Sequence, residues 1–78
     1  MSWNVLTLDL QTLMVSVLTE KQLDAIKLEL SGMSQRDAAI HLDVSRASFR
    51  DRLDAAYKRL RAAGVVQDAS GNWYLKED

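Results

Sequence analysis

The chain has 78 residues, a net charge of −1 and 47% hydrophobic residues, with no cysteine, no proline and a single histidine. That is the length of one domain, too apolar for a disordered chain, and it has to hold itself together by packing, without a disulfide or a thiolate metal site. His41 alone cannot make a zinc site. The apolar stretches are broken by Asp9, Gln11 and Thr12, and the N-terminus has neither the basic flank nor the small-residue cleavage site of a signal peptide. The expectation is a cytoplasmic domain with no cofactor, no metal and no membrane span.

Leu10, Leu13, Met14, Val17 and Leu18 recur at the spacing of one helical face and predict a first helix from about Leu10 to Val17, within a 9–18 segment that Asp9 caps. Upstream, the alternation of Leu6, Leu8 and Leu10 competes as a strand, and a short extended stretch is expected near Trp3 to Leu6. Thr19-Glu20-Lys21-Gln22 is a capping box opening a second helix over 19–31, with Leu23, Ile26, Lys27 and Leu30 along its face and Gly32 as a left-handed stop. Ser34-Gln35-Arg36-Asp37 caps a short third helix that turns Ala38, Ala39 and Leu42 inward. After a tight turn at Asp43-Val44, Ser45 caps a long fourth helix that runs to about Ala63 and is closed by Gly64. Phe49, Leu53, Ala56, Leu60 and Ala63 form its apolar stripe. Val65-Val66-Gln67 and Trp73-Tyr74-Leu75, separated by turn-forming residues, predict a β-hairpin within 65–75. The predicted fold is mostly α: a single domain over 1–78, a helix-turn-helix bundle of three to four helices with a short C-terminal hairpin, the winged variant.

The charges are segregated. From Ser45 to Ala63 the chain carries Arg46, Arg50, Arg52, Lys58, Arg59 and Arg61 against Asp51 and Asp54, a surplus of +4 that leaves −5 for the rest. A line through Arg46, Arg50, Asp54, Tyr57 and Arg61 lies beside the apolar stripe. Such a polarised molecule can orient on a phosphate surface even at a net charge near zero. The stretch from Gln35 to about Leu53 has the parts of a helix-turn-helix in order: a short capped helix, small Ala39 where two helices meet, a tight turn, and a capped second helix locked by Val44 and Phe49. The second helix is then free to enter the major groove, where Arg46 and Arg50 can each donate two hydrogen bonds to guanine. Ser34, Ser45 and Ser48, at helix starts, are natural phosphate contacts.

Leu18-Thr19-Glu20-Lys21-Gln22, Gly32-Met33-Ser34-Gln35-Arg36-Asp37-Ala38-Ala39 and Leu42-Asp43-Val44-Ser45-Arg46-Ala47-Ser48-Phe49-Arg50 resemble the promoter-reading fourth region of bacterial sigma factors and the DNA-binding domain of LuxR-type regulators; archaeal Tfx-type regulators are similar over the same stretch. The resemblance covers a little over half the chain. It implies base contacts at Arg46, Ala47, Arg50 and Asp51, and phosphate contacts from Gln35, Arg36, Ser48 and Arg52. Lys58 is a further candidate phosphate contact on the same basic helix. Asp43 stands where these families usually carry glycine, and Ala38 with Ile40-His41 inverts their usual pattern, so the third helix is expected to be rotated or exposed. The hairpin lies outside the sigma and LuxR patterns and points to a winged variant or a separate lineage, such as a phage or plasmid regulator.

The expected function is sequence-specific binding of double-stranded DNA in transcription regulation, with a homodimer on a pseudo-palindrome. The alternative is a protein-interaction module of the same fold that binds RNA polymerase or another regulator; a third reading is the DNA-recognition subunit of a larger packaging machine. The bland readings are a solvated cationic face for the fourth helix, an exposed His41, packing for Tyr57, a core role for one of Trp73 and Tyr74 with the other facing out, and core for the Leu10–Leu18 face, whose rival use is a dimer seam. The acids are scattered, and no nucleophile motif or glycine-rich phosphate loop is present, so an enzyme is not expected.

Overall fold

The computed structural model describes residues 3–76. A 3₁₀ turn at Trp3–Val5 leads into four helices, α1 (Leu8–Val17), α2 (Glu20–Leu30), α3 (Gln35–His41) and α4 (Arg46–Ala62), followed by β1 (Val65–Gln67) and β2 (Trp73–Leu75). The fold is thus mostly helical with a C-terminal two-stranded hairpin, as the periodicity and turn residues predict. Among the described residues no helix is long and apolar enough to cross a membrane.

Local chemistry accounts for each boundary. The Thr7 hydroxyl caps α1, accepting from the Leu10 amide at 3.3 Å. Asp9 therefore sits in the first turn, where its charge faces the helix dipole, and is not the cap. The stretch before it is a 3₁₀ turn rather than extended, because Leu6 N–H closes on Trp3 O at 3.1 Å and the Gln11 amide donates to Trp3 O and Leu6 O. The capping box of α2 is complete: Gln22 N–H donates to Thr19 Oγ1 at 3.2 Å, and Thr19 N–H to Gln22 Oε1 at 3.1 Å. Lys27 does not continue the inner face of this helix. Ala25 is buried there, and Lys27 is exposed with its Nζ 4.9 Å above the Trp3 ring.

The core is built from all four helices and β1. Phe49, Met14, Ile26, Leu60 and Val65 are its largest fully buried side chains. At roughly 1.5–3 kcal/mol for each large apolar side chain removed from water, these residues dominate the stability of so small a domain. The α4 helix is the spine, packing against α2, α3, α1 and β1. Ala38 and Ala39 are buried and Ile40 and His41 exposed, so α3 docks through its small residues and turns its large apolar residue to solvent. Gly64 ends α4 at φ +86°, a conformation open to glycine, and sends the chain back as β1. β1 and β2 pair antiparallel, Val65 with Leu75, Val66 with Tyr74 and Gln67 with Trp73.

Candidate nucleic-acid interface

The geometry of α3, the turn and α4 follows from a few backbone contacts. After α3 the chain reverses through Asp43, whose φ is +57°. Asp43 N–H donates to Ile40 O at 3.1 Å and Val44 N–H to Ala39 O at 3.0 Å, which ties the turn to the end of α3. Ser45 then starts α4, its hydroxyl accepting from the Ser48 amide at 3.0 Å. One turn further on, Phe49 is fully buried and Leu53 nearly so. These two side chains fix the rotation of α4 about its own axis and decide which residues face out.

Arg46, Ala47, Arg50 and Asp51 are all exposed. At about 100° per residue, Arg46 and Arg50 lie on one side of the exposed arc, with Ala47 and Asp51 next to them. Ser34, Arg36, Ser45 and Ser48 are exposed as well, and Gln35 and Arg52 are half-buried. The two capping serines use oxygen lone pairs on helix amides, Ser34 accepting from Asp37 at 3.1 Å, which leaves each hydroxyl proton available to an acceptor. The turn joins the end of α3 to the start of α4, where Arg46 and Arg50 share one side of the helix, whereas Arg52 falls about 160° around the helix from Arg50. Lys58 is exposed but stands roughly 18 Å further along α4 from Arg46, at about 1.5 Å per residue. Asp51 and Asp54, both exposed, dilute the positive face.

Two further residues of α4 have other partners. The guanidinium of Arg59 donates to Val17 O at 3.1 Å and so satisfies a carbonyl at the end of α1. Tyr57 is half-buried and stacks on Trp73, with ring centroids 5.6 Å apart and planes 12° from parallel. Burial pushes the Tyr57 phenol above its ordinary range, and the carboxylates of Glu29 and Asp54 push it further the same way. The ring is therefore a neutral wall at all ordinary pH values.

The hairpin is anchored by this stack. Trp73 is half-buried, whereas Tyr74 faces out at 47% exposure, the opposition expected of neighbours in a strand. The indole Nε1–H of Trp73 is buried without an acceptor among the described residues. At the tip, Asp68 Oδ1 accepts from the Ser70 and Asn72 amides, each at 2.9 Å. Donation from Asn72 in particular holds the carboxyl below the usual carboxylate value. Asp68 is thus the organiser of the turn, and its charge is committed there.

Arg59 and the Tyr57–Trp73 stack have no sequence-level signature: each joins residues far apart in the chain. Among the described residues no group of three or more histidine, cysteine, aspartate or glutamate side chains could hold a metal ion. No protein-family model matches the chain, and no curated protein or solved structure is detectably similar to it.

Proposed function

We propose that the protein is a sequence-specific double-stranded DNA-binding regulator of transcription that inserts the first turns of α4 into the major groove. The observation that carries this reading is the division of labour within one helical turn: Phe49 is wholly buried, while Arg46, Ala47, Arg50 and Asp51 are exposed beside the capped start of the helix. Arg46 and Arg50 read bases, with Ala47 and Asp51 against the neighbouring base edges. Ser34, Gln35, Arg36, Ser45, Ser48 and Arg52 hold the backbone, and Lys58 reaches a more distant phosphate. The resemblance of the Leu18–Arg50 sequence motifs to those of sigma-factor and LuxR-type domains supports the same docking mode. A homodimer, seated through exposed Leu8 and Val15 of α1, would give two half-sites.

The test is fluorescence anisotropy with random and selected duplexes as salt is raised. Arg36, Arg52 and Lys58 together give an expected slope of about −3 in log affinity against log salt, at about −0.9 per neutralised phosphate. A slope near zero, or no binding at low salt, refutes the reading. A second reading, a module that docks on RNA polymerase or another regulator, is favoured by Ile40, a large apolar residue of α3 that is 67% exposed. Ile40→Ser separates the two: it leaves DNA affinity unchanged under the first and abolishes partner capture under the second.

A further inference from the structure

The Tyr57–Trp73 stack borders two clefts of different chemistry. One, about 300 Å³, lies between α2, α4 and the hairpin, and Glu29 is its charged residue. The other, about 430 Å³, is lined by Tyr57, Arg61, Val65, Val66, Gln67 and Trp73. Its walls are two flat aromatic rings and two valines, it has one amide, and its single charge is the cation of Arg61. That volume falls in the range of small-molecule sites, and such sites combine an apolar lining with a few polar groups that fix orientation.

We propose that this second cleft, between the C-terminal half of α4 and the hairpin, binds a small planar aromatic molecule bearing a carboxylate. The ring packs against the outer side of the Tyr57–Trp73 pair and on Val66. Its carboxylate pairs with the Arg61 guanidinium, whose planar fork matches two carboxylate oxygens. Charge selects the anion: among the described residues Arg61 is the only ionised side chain lining this cleft, whereas Glu29 makes its neighbour repel the same ligand. The stack selects flatness. Arg61 is available for this role because Arg59, two residues earlier, is the one tied to Val17 O. The site does not depend on the DNA reading, and its test contains no DNA.

The experiment is a titration of the ¹⁵N-labelled full chain with naphthalene-2-carboxylate, followed by amide and indole resonances. Trp3→Phe identifies the Trp73 indole signal. Saturable shifts are expected at Val66, Gln67 and the Trp73 indole, with a dissociation constant at or below about 1 mM for a ligand of this size. The neutral naphthalene-2-carboxamide is expected to bind about 10-fold or more weakly, and sodium acetate to leave these signals in place. Arg61→Gln, an exposed substitution that leaves the fold intact by circular dichroism, should erase the preference for the carboxylate over the carboxamide. Shifts that fail to saturate, that cluster at Arg46 and Arg50 instead, or that survive Arg61→Gln unchanged would overturn the proposal.

Discussion

Replacing Asp43 by glycine is expected to stabilise the fold by up to about 0.6 kcal/mol. Asp43 is the non-glycine residue held at positive φ, +57°, in the turn that sets α4 against α3. The left-handed conformation costs an L-residue about 1–2 kcal/mol, with aspartate toward the low end because its short polar side chain tolerates it. Glycine removes that strain but returns about 0.4–1 kcal/mol of unfolded-chain freedom. The difference is the expected gain. The turn's two backbone hydrogen bonds, to Ile40 O and Ala39 O, involve no side chain and survive the change. Thermal unfolding followed by circular dichroism reads this directly, since 1 kcal/mol shifts the midpoint by about 4–8 °C in a domain of this size. Asp43→Asn, which keeps the tolerance and drops the charge, should melt at or slightly above the parent. Asp43→Ala, which keeps the strain and loses the tolerance, should melt below it. If the glycine variant melts lower than the parent while the alanine variant does not, the strain argument at this turn is wrong.

Arg46→Ala is expected to cost about 1–3 kcal/mol of DNA affinity and to relax selectivity at one base position; an equal loss on every sequence would assign Arg46 to the backbone instead. Arg59→Ala should lower stability by about 0.5–1 kcal/mol through the lost bond to Val17 O. The same variant should leave the salt slope of DNA binding unchanged, so a slope shallower by about 0.9 would show Arg59 on a phosphate. Asp68 titrates below its ordinary value, so its contribution to hairpin stability is complete above the unfolded-state pKa and is lost as pH falls through the lower folded one. The Ser70 and Asn72 amide resonances should shift together in that acid window, and Asp68→Asn should abolish the transition; shifts centred at or above the ordinary carboxylate value would remove Asp68 from the organising role.

Much of the architecture is legible residue by residue because its causes are local. Thr19 and Gln22 are three residues apart, and so are Ser34 and Asp37, and Ser45 and Ser48; each cap closes within one turn whatever the rest of the chain does. The stripe of Phe49, Leu53, Ala56 and Leu60 states its buried face by period alone. Where local signals compete, the reading shifts. Thr7 and Asp9 can both cap a helix, and packing of the 3₁₀ turn, with Gln11 holding Trp3 O and Leu6 O, selects Thr7.

The sequence by itself determined the four helices, the hairpin, the caps of α2, α3 and α4, and the segregation of cation onto α4, because propensity, capping and periodicity act within about four residues. Tertiary structure alone decided which of those cations remain free. Arg59 meets Val17 across 42 residues, Tyr57 meets Trp73 across the hairpin, and Lys27 leaves the core face for the Trp3 ring. Each depends on how whole elements dock, and docking is set by the summed burial of side chains from every helix at once, which no short window of the chain contains.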